Sequence, residues 1–177
     1  MKGAGPQPLL VSACLLGLCT RLDGSACSFP SVLSLTSHFW VIPVCPEQLG
    51  GLGTPREAAE LCGVAGGEAL DGVALVRTRD GCDVTREFVR GAQQTLAVAR
   101  LTRATTAVLK ARSPSCGVGS TYDGTFSHTL RPGSGVTAAL LERAGIALYS
   151  EEDCQTLLPA MIDLATEPTA EVEVKPR

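Results

Sequence analysis

The chain has 177 residues, 45% hydrophobic and 19% charged, which is long enough to bury one continuous core. A formal net charge of -3, no basic run and only 4% aromatic residues exclude the footprint of a duplex nucleic-acid binder and a stacking platform for single strands. No window reaches the roughly 18 uninterrupted apolar residues of a membrane helix, and 19 glycines with 11 prolines point to built turns rather than disorder.

In chain order, Leu9 to Ala13 is a short apolar run with strand character that ends at Cys14. It is not expected to act as a signal peptide. Lys2 precedes it, but the apolar stretch before Cys14 is short, Pro6 and Pro8 interrupt it, and hydrophobic residues continue to Leu18. The eight cysteines are therefore expected in a reducing, cytoplasmic setting, where they serve as metal ligands or catalytic groups more often than as staples.

Pro30 to Phe39 reads as a helix with Ser28 as its cap and Pro30 in the first turn. Trp40 to Val44 reads as a second buried strand ending at Cys45, followed by a turn-rich Gly50 to Pro55 loop and a brief helix over Pro55 to Leu61. Val73 to Thr78 and Cys82 to Val84 suggest a hairpin turning at Asp80-Gly81. From Thr85 the period changes. Phe88, Val89, Ala92, Leu96 and Ala99 form one apolar stripe, with Arg90, Gln93, Gln94 and Arg103 largely elsewhere, which predicts a helix. It leads into a third strand, Thr105 to Leu109, and then into Ser113-Pro114-Ser115-Cys116-Gly117. Val136 to Arg143 predicts a helix with Gly145 at its end, and Ile146 to Tyr149 a strand. Ser150 with Asp153 opens a last helix to about Ala165, and the tail 166–177 is polar.

Strands alternating with helices predict one α/β domain over residues 1–165: a Rossmann-like, three-layer fold with a mainly parallel sheet. Right-handed crossovers would bring the loops after Ala13, Val44 and Leu109 to one carboxyl edge. Each of those loops carries a cysteine, Cys14, Cys45 or Cys116, in a turn with no evident packing role. Cys62, Cys82 and Cys154 lie in or beside apolar segments and read as small buried hydrophobes. The spacings of 31 and 71 residues between the three loop cysteines match no compact zinc ribbon, so the site would have to be built by the fold. Three thiolates on a four-iron cluster leave one iron open to a substrate, and three on zinc also leave an open position; spacing does not choose between them. Cys19 is a candidate fourth ligand, whose closure of the site would make a non-catalytic iron–sulfur or zinc-binding module, and Cys27 lies in a polar loop without a recognisable partner spacing.

Several segments then converge on one resemblance. Ser12-Ala13-Cys14-Leu15-Leu16-Gly17, Cys45-Pro46-Glu47-Gln48-Leu49-Gly50-Gly51, Thr54-Pro55-Arg56, Gly81 to Thr85, Leu109-Lys110 and Ser113 to Gly117 come in this order, followed by Tyr122 to Phe126 and Gly135 to Ala138. Together, from about Leu9 to Glu151, they resemble the bacterial 2-thiouracil desulfidase (TudS-like) family, long labelled as a domain of unknown function. The resemblance implies a [4Fe-4S] cluster on Cys14, Cys45 and Cys116 and non-redox removal of sulfur from a small thiolated nucleobase or nucleoside. Water attacking the thiocarbonyl carbon needs a base, and Glu47 is the carboxylate best placed for it. Its alternative is a helix-start carboxylate that bonds backbone amides. Ser113 would orient water or substrate, with Ser115 as rival and turn chemistry around Pro114 as the alternative for both. Lys110 and Asp123 are further candidates to support the site. One departure stands out: the chain has Arg21-Leu22-Asp23-Gly24 where the family commonly has an aromatic second residue, and Ser25-Ala26-Cys27 lacks the usual lysine.

Overall fold

A computed structural model describes residues 5–63 and 65–158 of the chain. Its elements begin with β1 (Gln7–Ser12), α1 (Pro30–Ser34), β2 (Phe39–Val44), α2 (Pro46–Leu49), β3 (Ala59–Cys62), α3 (Gly66–Leu70) and β4 (Leu75–Thr78). The long helix α4 (Thr85–Thr102) follows, then β5 (Thr106–Leu109), β6 (Ser120–Tyr122), β7 (Leu130–Pro132), α5 (Val136–Arg143) and β8 (Ala147–Ser150). Four strands form the central sheet in the order β2-β1-β5-β8, and every pair in it is parallel.

The strands alternate faces, and that alternation builds two cores. Leu10, Ala107 and Leu109 pack on one side with Leu96 and Ala99 of α4 and Ala138 and Leu141 of α5. Leu9, Val11 and Val108 pack on the other with Leu15, Val32 of α1, Cys154 and Leu157. Helices on both faces of a parallel sheet give the three-layer α/β arrangement that the alternation of elements predicts. On α4 the predicted stripe is the buried stripe, with Phe88, Ala92, Leu96 and Ala99 inside and Val89 packed at the margin of a third cluster with Leu61 and Val76. Truncating Phe88 there would cost about 3–5 kcal/mol.

Several expected boundaries move. The helix from Pro30 ends at Ser34, continues as a 3-10 turn over Leu35–Ser37 and gives way to β2 at Phe39, because Phe39 is buried and pairs with Gln7 of β1. Ser28 is not its cap; Phe29 holds that position without a side-chain bond. The segment expected as a helix over Pro55 to Leu61 instead contains β3, which pairs antiparallel with β4 from Ala59↔Thr78 to Cys62↔Leu75. Pairing across the small sheet overrides the helix-favouring Ala-Ala-Glu-Leu stretch. The hairpin at Asp80-Gly81 survives as a short return: Cys82 O accepts from Thr78 N and Val76 O from Val84 N, and Gly81 takes the left-handed φ of 92°. Cys82 follows that turn and is exposed, not a buried hydrophobe, while Cys62 is half-buried and Cys154 buried. At the end of the fold Ser150 closes β8, and Asp153 Oδ1 accepts from Ser150 N at 2.5 Å and Ser150 Oγ at 2.8 Å. A 3-10 turn over Cys154–Thr156 follows. The expected helix beyond residue 158, and the tail from Thr166, lie outside the described residues.

Candidate active site

The strand order explains why three cysteines far apart in sequence meet. β2, β1 and β5 are neighbours, and the chain order of strands reverses across β1, which opens a crevice at their carboxyl ends. Cys14 lies in the 3-10 turn Ala13–Leu16 that follows β1. Cys45 caps the start of α2 directly after β2. Cys116 follows β5, in the loop before β6. All three, with Glu47 and Ser113, line one cavity of about 470 Å³.

Burial pushes the Cys14 thiol up to about 11, reinforced by nearby Cys45 and opposed by Lys110. Burial pushes Cys116 up to about 12, opposed by a hydrogen bond with the Ser12 side chain and reinforced by Glu47, Cys14 and Cys45. Ionising these thiols together puts like charges side by side in a buried crevice, a cost that a bound cationic group would offset. Among the described residues no group of three or more His, Cys, Asp or Glu is arranged to hold one metal ion.

Each cysteine loop is fixed by its own backbone. Ser113 Oγ accepts hydrogen bonds from the amides of Ser115 and Cys116, both at 3.1 Å, and Ser113 O accepts from Gly117 N at 2.8 Å. This is turn chemistry, and it holds Cys116 in place. Ser115 is buried, with Oγ 2.9 Å from Thr137 Oγ1, and does not line the cavity. The Cys45 segment is held from behind, where α2 meets α4 backbone to backbone. A Cβ on Gly91 would lie 2.0 Å from Pro46 O, and one on Gly50 2.1 Å from Glu87 O, so no larger residue fits either position without displacing α2.

Glu47 sits in the first turn of α2. Among the described residues no backbone amide donates to its carboxylate; Oε2 accepts from Arg56 Nε at 2.6 Å. Lys110 lines the cavity, and its ammonium pairs with the carboxylate of Glu151, whose other oxygen accepts from Ala111 N at 2.7 Å. Asp123 does not line the cavity; its Oδ1 closes a local turn by accepting from Thr125 N and Oγ1. Cys19 is exposed, and neither Cys19 nor Cys27 lines the cavity, although Cys27 N donates to Cys14 O at 2.9 Å.

Sequence reasoning missed most of the opposite wall. Tyr122, Phe126 and His128 come from the β6–β7 hairpin, with Tyr122 and His128 edge-to-face at 5.9 Å. The Arg79 guanidinium lies 5.4 Å from the Phe126 ring centroid. Buried Glu60 on β3 anchors this wall, its Oε2 accepting from Gly124 N at 2.9 Å and Phe126 N at 3.0 Å. Ser12 was missed too; its Oγ accepts from Lys110 N at 2.9 Å and so ties the end of β1 to the end of β5. A polar residue closing an otherwise apolar strand, Leu9 to Ala13, was the available signal for it.

The model of the 2-thiouracil desulfurase family matches residues 9–153. The chain belongs to this family. It is 44% identical over 150 residues, 85% of this chain and 99% of the other, to the Bacillus subtilis (strain 168) protein described as uncharacterized protein YbbK. Among solved structures it is similar to the [4Fe-4S]-dependent thiouracil desulfidase TudS, at a TM-score of 0.77 and 39% identity, covering 88% of this chain and 98% of that one. The matched span of the desulfurase family contains the three loop cysteines, Glu47, Ser113 and the whole cavity wall.

Proposed function

We propose that this chain is a [4Fe-4S]-dependent desulfidase that hydrolyses the thiocarbonyl of a thiouracil-like nucleobase or nucleoside and releases sulfide. One observation carries the reading: in a member of the 2-thiouracil desulfurase family, three thiols from neighbouring parallel strands share a cavity with a carboxylate. The donor set fits the cluster, because three cysteines on separate rigid loops surround a volume while Cys19 stays exposed outside it. Cys19, the fourth ligand that a closed module would call on, does not line the cavity.

Cys14, Cys45 and Cys116 would hold the cluster, which would supply a soft Lewis acid with an iron free of protein ligands, suited to sulfur over oxygen. The chain's own residues supply the rest. The overall change exchanges sulfur for the oxygen of water, so a C–O bond forms, the C–S bond breaks with its electron pair leaving on sulfur, and no reductant enters. Glu47 takes the proton from water. Arg56 occupies Oε2, and among the described residues nothing donates to the other carboxylate oxygen, which is left for that proton. Both amide bonds to Ser113 Oγ use its lone pairs, so its hydroxyl proton is available to orient water or the substrate. Tyr122 and Phe126 provide apolar surface for a flat heterocycle.

No helix among the described residues is long and apolar enough to cross a membrane. All eight cysteines are unpaired, which suits a cytoplasmic enzyme working in a reducing compartment. Anaerobic reconstitution with iron and sulfide, then incubation with 2-thiouracil and no reductant, tests the proposal. Equal yields of uracil and sulfide are expected; a requirement for electrons, or no product from fully loaded protein, would overturn it.

A further inference from the structure

We infer that Arg56 is the positioning residue for Glu47, a clasp that holds the carboxylate in register with the thiol loops. This rests on the reading of Glu47 as the base. The pair is close and sheltered: Nε to Oε2 is 2.6 Å, with side-chain exposures of 10% for Arg56 and 17% for Glu47. A surface ion pair of this kind would contribute little, but here three further donors of the guanidinium meet acceptors of neighbouring loops. Nη1 donates to Gly53 O at 3.2 Å and Thr54 Oγ1 at 3.0 Å, and Nη2 donates to Thr20 O at 3.1 Å.

Those acceptors belong to different parts of the site. Thr20 O also accepts from Cys45 Sγ at 3.8 Å, so one carbonyl links the fork to a proposed cluster ligand. The Arg56 amide donates to Leu22 O at 2.8 Å, which pins the loop after Cys14 where it lines the cavity. With its Nη donors held by other acceptors, the planar guanidinium fixes the direction from which Nε–H meets the carboxylate. An ammonium at the same place would supply charge and rotating N–H donors without that fixed direction. Glu47 is carried on a helix of four residues, too short to hold a side chain by itself, so the clasp sets where its second oxygen points.

The test is a double-mutant cycle on the full-length, reconstituted chain, with Arg56→Lys, Glu47→Gln and the double variant. Iron per chain, kcat and KM toward 2-thiouracil are measured for each. Arg56→Lys is expected to keep its iron and its KM while kcat falls about 10²-fold, the order that misplacement by about 1 Å costs. In the Glu47→Gln background the same substitution is expected to change the residual kcat by less than about twofold, the non-additivity of groups that act as a unit. Equal losses in both backgrounds would overturn the inference, since Arg56 would then act without Glu47. Loss of iron in Arg56→Lys would overturn it as well, by making Arg56 a folding or loading residue. Glu47→Asp offers a second approach: with Arg56 intact and the carboxylate withdrawn by one methylene, kcat should fall by a similar factor, and an unchanged kcat would contradict the clasp. Full turnover by Glu47→Gln would instead remove the base reading itself, a result distinct from additive losses around an essential Glu47.

Discussion

The cavity has two sides of different origin. Its floor comes from the ends of β1, β2 and β5, three neighbouring strands of one parallel sheet. Its wall comes from two small antiparallel pieces, β3–β4 and β6–β7, joined through Glu60 and the Phe126 loop. On the floor, placement follows from the fold: a residue just past a parallel strand must emerge at the same edge as its neighbours. On the wall, placement depends on individual bonds, such as the Glu60 carboxylate gathering two amides. On the proposed reading the floor would carry the chemistry and the wall would shape what enters.

The largest effect should come from the floor. Cys116→Ala is expected to abolish turnover and leave the reconstituted protein short of iron, measured per chain against the parent; normal iron content would separate Cys116 from the cluster. Glu47→Gln should keep the iron and lower kcat by about 10²–10⁴-fold, the usual worth of a general base. The wall should respond differently. Glu60→Ala removes the acceptor of two backbone amides and should cost about 1–3 kcal/mol by denaturant unfolding, with KM rising more than kcat falls. A kcat loss as deep as that of Glu47→Gln would erase the distinction between the two sides.

A smaller effect sharpens the picture of the floor before any cluster is bound. Cys14 and Cys116 both titrate above the ordinary thiol value of 9.0, at about 11 and about 12, because burial disfavours their thiolates. Above pH 9 the unfolded chain gives up these protons while the folded metal-free chain retains them. Stability is then fully present below pH 9 and lost as pH rises through about 11 to 12. Urea midpoints of the metal-free protein across that range should fall, and a flat profile would mean that the two thiols are not buried. The smallest effect belongs to Cys19→Ser. This exposed residue should be replaceable with no change in iron content or turnover, whereas iron loss would bring Cys19 into the site.

The same division governs what was legible in the sequence. Leu9 to Ala13, Trp40 to Val44 and Thr105 to Leu109 are apolar runs of strand length, each followed by a cysteine in a turn, so the floor could be read from local pattern. Strand order could not, because pairing is a long-range choice that the individual runs do not encode. β3 was misread as helix, since Ala-Ala-Glu-Leu favours helix until β4 pairs with it. β6 and β7 have three residues each, too few for a period to show. Arg56 was visible within Thr54-Pro55-Arg56, but its link to Glu47 exists only once both loops are folded.

The central claim is that three cysteines hold a cluster with one iron left for the substrate. The most direct measurement is the Mössbauer spectrum of ⁵⁷Fe-reconstituted protein before and after 2-thiouracil is added, in the parent and in Cys19→Ser. The account predicts one distinct iron in both proteins, and a change confined to that iron when the substrate binds. Iron sites that are all equivalent, and indifferent to 2-thiouracil, would contradict it.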